Sequence, residues 1–179
     1  FFTHHFPKIS ESFIINQVAG LMKRGHEVTI FASKQPDENA QHDIVTEHNM
    51  LRNTIYTNNP ESYFEGLKIT IKSVLDLGVN SPTHLGNIRD AVSLGKSAPT
   101  YLANLKALLN HGKAFDIYHA HFGNVGRKWS FVADLPGQTP LITTFYGMDV
   151  SSFVHPNRYT WYEPFWSKCR LSIGISQYI

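Results

Sequence analysis

One segment near the start of the chain constrains the fold more than any other. Between residues 10 and 24, Phe13, Ile14, Val18, Leu21 and Met22 recur at helical spacing. Ser10 stands where an N-cap hydroxyl accepts from an unpaired backbone amide, and Ile9 and Ile14 stand at the N′ and N4 positions of a hydrophobic staple. Lys23 and Arg24 suit the negative end of the helix dipole, and Gly25 suits the left-handed position just past it. A strand-like Phe1-Phe2-Thr3 comes before this helix, and a short apolar run, residues 28–32, comes after. Strand, helix and strand joined by a tight turn back form a βαβ unit, which requires a parallel sheet.

The remainder keeps that rhythm. Residues 34–60 read as a polar excursion with one short strand near 54–56. Residues 61–77 predict a helix with Phe64, Leu67, Ile71, Val74 and Leu75 turned inward. Residues 81–97 carry few apolar positions and are interrupted by Pro82. Residues 99–111 predict a helix with Leu102, Leu105, Leu108 and Leu109 facing in, ended by Gly112. Then come a strand at 115–120, a helix at 123–133, a turn at Leu135-Pro136-Gly137 and a strand at 141–145. Tyr162, Phe165, Trp166 and Cys169 share one helical face, with Trp161 off it, and residues 171–175 read as a last strand. Alternating β and α predicts an α/β fold: a doubly wound parallel sheet with helices on both faces.

Composition narrows the function classes. The 179 residues suit one α/β domain, and 42% hydrophobic with 17% charged residues is a globular balance. Sixteen basic against fourteen acidic residues leave +2, which argues against a nucleic-acid polymer as partner. No apolar run reaches the length of a membrane span. The single cysteine, Cys169, excludes an intramolecular disulfide and a four-cysteine zinc site. The chain opens on Phe1 inside a strand pattern and closes on Ser176-Gln177-Tyr178, the start of a helix; it reads as a piece of a longer protein, cut at both ends.

Doubly wound sheets bind ligands beyond the C-terminal ends of their strands. Three strand ends here carry polar residues and glycines: His4-His5-Phe6-Pro7-Lys8, His119-Ala120-His121-Phe122-Gly123, and Thr143-Thr144-Phe145-Tyr146-Gly147-Met148-Asp149. Strand alternation puts His119 and His121 on one face. They are either a pair of ligand-contacting or metal-ligating imidazoles, or one buried core histidine and one at the crevice. With His4 and His5 nearby a metal-dependent hydrolase is one reading, although no carboxylate stands at ligand spacing. Gly123-Asn124-Val125-Gly126 opens a helix straight after a strand, for an anion or for close strand-to-helix packing. Glu11 is a crevice carboxylate or simply what a first helical turn prefers. Tyr146 is expected at the rim of its strand, facing His121 and the loop from His5 to Ser10; Asp149 either caps local amides or holds an acceptor hydroxyl.

Three stretches together resemble family 4 glycosyltransferases, especially those of exopolysaccharide and colanic-acid biosynthesis. The first is Phe6-Pro7-Lys8-Ile9-Ser10-Glu11-Ser12-Phe13-Ile14 with Gln17-Val18-Ala19-Gly20-Leu21 and Arg24-Gly25-His26-Glu27-Val28. The second is Asp116-Ile117-Tyr118-His119-Ala120-His121-Phe122-Gly123. The third is Pro140-Leu141-Ile142-Thr143-Thr144-Phe145-Tyr146-Gly147-Met148-Asp149-Val150, with Gly174-Ile175-Ser176 beyond it. The resemblance covers nearly the whole chain in order.

It implies one half of a GT-B fold, with residues 1–179 as the acceptor-side Rossmann-like domain. The donor-binding domain, with its Glu-x7-Glu motif, would lie outside these residues. It further implies retaining transfer from a nucleotide-sugar co-substrate to a glycan or lipid-linked acceptor, with no metal and no other cofactor. The implied location is cytoplasmic, with peripheral contact at the inner face of the plasma membrane. The chain alone is expected to be inactive, lacking half the cleft. Many relatives carry His where this chain has Tyr146, so Tyr146 is assigned to positioning rather than proton transfer, with His121 beside it as the catalytic pair. Phe6, Lys8, Ser10, Glu11, Gly123, Gly147 and Asp149 are the expected acceptor-binding residues. The rival classes are the metal-dependent hydrolase and a non-catalytic carbohydrate-binding module.

Overall fold

The computed structural model describes residues 1–36, 42–57, 59–60, 62–80, 91, 94–151 and 158–177. Most of the unassigned stretch 81–97 therefore lies outside the described residues, as do residues 178–179. The chain divides into two compact units, residues 1–55 with 115–179, and residues 56–114.

The strands are β1 (Phe2–His5), β2 (Ile30–Lys34), β3 (Thr54–Tyr56), β4 (Tyr118–His121), β5 (Leu141–Phe145) and β6 (Cys169–Gly174). They form one six-stranded sheet in the order β3-β2-β1-β4-β5-β6. β1 pairs in parallel with β2 and with β4, and β4, β5 and β6 continue in parallel. The helices are α1 (Ser12–Lys23), α2 (Asp43–Glu47), α3 (Tyr63–Asn80), α4 (Ala98–His111), α5 (Gly123–Trp129) and α6 (Arg158–Trp166). The order is that of a Rossmann-like sheet, whose strand order reverses between β1 and β4.

The first helix departs from expectation at its start and matches it at its end. Ser10 is not the N-cap: a 3₁₀ turn, Ile9–Glu11, comes first, closed by the Glu11 amide donating to the Lys8 carbonyl at 3.0 Å. The α-helix then begins at Ser12 without a side-chain cap. Ile14, Ile15, Val18 and Ala19 form its buried face, while Phe13 stays 39% exposed. At the C-terminus Gly25 takes φ +87°, its amide donates to Met22 O, and the His26 amide donates to Leu21 O. These are the two bonds of a Schellman motif.

A layer of aromatic rings covers one face of the sheet. Phe2 stacks on Trp129 of α5 at 3.9 Å between centroids and 8° between planes, and also touches Phe31 and Tyr118. The expected helix at 123–133 is split into α5 and a 3₁₀ segment, Ser130–Asp134. Close approach of α5 to β5 depends on two glycines. A Cβ on Gly126 would stand 2.5 Å from Thr143 Oγ1, and one on Gly123 would collide with the Phe145 ring. On α6, Tyr162 and Phe165 are buried as expected, but Trp166 is half-exposed and Cys169 belongs to β6 instead.

In the second unit the apolar face of α3 is reversed relative to the sequence pattern. Phe64, Leu67, Ile71 and Leu75 are exposed, and Gly66 and Ser73 are buried. A Cβ on Gly66 would meet Pro99 of α4 at 3.1 Å. Close helix contact selects the small residues and leaves the bulky ones outward. On α4, Leu102, Leu105 and Leu108 are buried as expected.

Two glycine substitutions separate space from conformation. Gly126→Ala forces a methyl into Thr143 and Phe165 and should cost about 1–3 kcal/mol in urea unfolding. Gly20→Ala on α1, with nothing within 4 Å, should stabilise by about 0.5–1 kcal/mol. Equal effects at the two positions would contradict the packing described here.

Candidate functional site

Alternation along β4 and β5 decides which side chains meet. Ala120 points with Phe2 toward α5, so His119 and His121 point to the opposite face, and their rings stack 4.6 Å apart. On β5, Thr143 and Phe145 face α5 and α6, so Thr144 and the next even position, Tyr146, share the histidine face. His119 Nε2 lies 2.8 Å from Thr144 Oγ1, and His121 Nδ1 lies 2.8 Å from the Tyr146 hydroxyl. Tyr146 thus sits at the C-terminal end of a parallel strand beside His121, as the sequence suggests. Thr144 is absent from the sequence-derived site, although its parity with Tyr146 on the same strand could have signalled it.

The Tyr146 ring has two aromatic walls that sequence reasoning did not assign. Phe13 from α1 stands at 4.5 Å and Phe122 at 4.7 Å between centroids. Helical spacing groups Phe13 with Ile14 and Val18 in the apolar stripe, so nothing in the sequence sets it apart for this contact.

The β1 loop brings a charged pair. Lys8 Nζ lies 3.1 Å from Glu11 Oε1, and the other Glu11 oxygen is buried with no hydrogen-bond partner. Burial, then the charges of Asp149 and of Glu11, push the Tyr146 hydroxyl up to about 12. Tyr146 is therefore a neutral donor at any physiological pH. The remaining expected residues divide. Phe6 is packed away at 1% exposure, where its side chain shapes the loop. Ser10 is exposed. Gly147 takes φ +95° and turns the chain after Tyr146. Gly123 is buried and its amide is taken by Asp149 at 2.7 Å. Of the two roles open to Asp149, the carboxylate caps amides: its second oxygen accepts from the Tyr146 amide at 2.9 Å, and the residue is 6% exposed.

His119 and His121 each place one ring nitrogen against a protein hydroxyl, while His121 Nε2 is buried with no hydrogen-bond partner. His4 Nε2 faces Lys128 Nζ at 3.4 Å, on the other side of the sheet from His121. Among the described residues no group of three or more His, Cys, Asp or Glu is placed to hold a metal ion.

A sequence profile of Glycosyltransferase Family 4 matches residues 10–179. The chain belongs to glycosyltransferase family 4. No curated protein and no solved structure matches it significantly. Membership in this family makes glycosyl transfer the chemistry of the domain, with sugar donors and acceptors as substrates in general. The Rossmann-like sheet is that of half a GT-B glycosyltransferase.

Three histidines of this family 4 chain are held neutral. Burial, aided by the Lys128 charge, lowers His4 to about 4; burial lowers His119 to about 4; burial, aided by His119, lowers His121 to about 2. Above pH 7 they are neutral in both folded and unfolded chains and add no pH dependence. Below the unfolded value near 6.5, the unfolded chain binds protons that the folded chain refuses, so stability falls with falling pH. Each histidine contributes up to about 1.4 kcal/mol per pH unit until its folded value is reached. Burial also lowers the Phe1 amine from its ordinary 8.0 to about 5, so urea unfolding should show a gentle decline from pH 8 and one steeper than one proton from pH 6.5 to 5. A flat profile to pH 5 would show that these rings are not buried neutral.

Proposed function

We propose that this chain is the acceptor-binding half of a retaining glycosyltransferase. The enzyme would move a sugar from a nucleotide-sugar to a growing surface polysaccharide or a lipid-linked glycan. The donor would be held mainly by a second domain. The observation that carries the reading is the Tyr146 hydroxyl at the end of β5, bonded to neutral His121 at 2.8 Å and walled by Phe13 and Phe122. A rigid ring with one polar tip suits a sugar, which offers hydroxyls on an apolar frame.

In this reading Tyr146 positions a hydroxyl of the transferred sugar, and His121 fixes where the phenol sits. Neither serves as acid or base near neutrality, because Tyr146 keeps its proton and His121 stays neutral. Lys8 and Glu11 with Ser10 offer donors and acceptors to the acceptor glycan, and Gly147 lets the chain turn close to it. Transfer itself needs both domains closed around the substrates, which orients the reacting atoms and excludes water, so the 179 residues alone bind without turning over. Family membership, rather than the histidines, favours transfer over metal-dependent hydrolysis.

Peripheral membrane contact fits the same reading. The exposed row Phe64, Leu67, Ile71 and Leu75 on α3, bordered by Lys68 and Lys72, suits an anionic bilayer surface carrying a lipid-linked acceptor. No helix among the described residues is long and apolar enough to cross a membrane.

Tyr146→Phe in the full-length enzyme tests the central role. It keeps the ring and removes the hydroxyl, and turnover should fall about ten- to a hundredfold, or roughly 1–3 kcal/mol. Unchanged turnover, with Tyr146→Ala merely unfolding the protein, would make the side chain structural.

A further inference from the structure

The ends of β4 and β5 do not finish their ladder in the ordinary way. His121 pairs with Thr144, and the Phe122 amide donates to the Thr144 carbonyl at 2.9 Å. In a parallel ladder the next rung would run from the Tyr146 amide to the Phe122 carbonyl. That carbonyl is turned away: it accepts instead from the Val125 and Gly126 amides in the first turn of α5, at 3.1 and 3.0 Å. The turn requires Phe122 to adopt φ +74° and ψ 138°, a region a residue with a side chain rarely enters.

The Asp149 carboxylate supplies the missing acceptors. Oδ1 takes the Tyr146 amide at 2.9 Å, and Oδ2 takes the Gly123 amide at 2.7 Å, one of the unpaired donors at the start of α5. The Asp149 carbonyl is itself held by the Tyr162 hydroxyl at 2.8 Å. One buried side chain therefore splices both strand ends on either side of the strained Phe122, whose ring is a wall of Tyr146.

We propose that Asp149 is a positioning residue: its carboxylate replaces the lost rung between β4 and β5 and thereby holds Tyr146 on His121. The consequence for turnover rests on the reading of Tyr146 as the sugar-contacting group; the structural tie does not. An ionised carboxylate is suited to the task because it only accepts, and both its partners only donate.

Asp149→Asn keeps the shape but turns an NH₂ donor against one of the two amides. The full-length enzyme is examined by ¹⁵N spectra of the His121 ring, by near-ultraviolet circular dichroism for folding, and by kinetics of Asp149→Asn, Tyr146→Phe and the double variant. The expected result is a displaced His121 ring signal in Asp149→Asn and a loss of turnover of about tenfold or more. Adding Tyr146→Phe should then cost less than about threefold further, because its hydroxyl is already misplaced. If Asp149→Asn fails to fold, Tyr162→Phe, which removes only the bond to the Asp149 carbonyl, should displace the His121 signal in the same direction by less. An unmoved His121 signal in a folded variant, or losses that multiply in the double variant, would overturn the proposal. Should Tyr146→Phe alone leave turnover intact, the sugar-contact reading fails, and the His121 signal still decides whether Asp149 holds the two strand ends.

Discussion

Close approach of α5 to the sheet is the constraint on which the strand-end cluster depends. Gly123 and Gly126 leave no room for a Cβ against Phe145, Tyr162 and Thr143, so the helix lies almost on β5. A helix that starts so near must leave β4 abruptly, and the turn at Phe122 is where it does so. From that turn follow the diverted carbonyl, the interrupted ladder and the need for an acceptor between the two strands. Packing on one face of the sheet thus sets the geometry of the polar groups on the other. The aromatic layer of Phe2, Phe31, Tyr118 and Trp129 anchors the same helix from below.

On the polar face, low local polarity does the chemical work. Burial keeps His121 neutral and keeps the Tyr146 phenol protonated, so the pair is a fixed dipolar arrangement rather than a proton relay. In the function proposed for this chain, such a site would orient a sugar hydroxyl without reorganising during transfer, which is the value of preorganised donors in catalysis. The Lys8–Glu11 pair on the β1 loop adds a charged neighbour whose second carboxylate oxygen is unpartnered.

Much of this is legible in the sequence, because it rests on periodicity. The parity of His119 and His121, the apolar run of β5 and the break at Gly147 place Tyr146 at a strand end, and Gly25 marks the end of α1. What is not legible depends on the partner across the gap. Phe64, Leu67, Ile71 and Leu75 have the spacing of a buried stripe, yet α4 approaches so closely that Gly66 and Ser73 take the interior. Ser10 has the chemistry of an N-cap, yet a 3₁₀ turn moves the helix start beyond it. Phe6 lies in a loop motif and is packed into the core. Asp149 looks the same in sequence whether it binds backbone or ligand; only the diverted Phe122 carbonyl shows why two amides claim it.

The most direct test is a crystal structure of the full-length enzyme with an unreactive nucleotide-sugar analogue and an acceptor glycan bound together. The account predicts a hydroxyl of the donor's sugar at hydrogen-bonding distance from the Tyr146 hydroxyl, with the acceptor beside Lys8 and Glu11 and the Asp149 carboxylate still on its two amides. A sugar bound away from the β4 and β5 strand ends, with Tyr146 making no contact to either substrate, would contradict it.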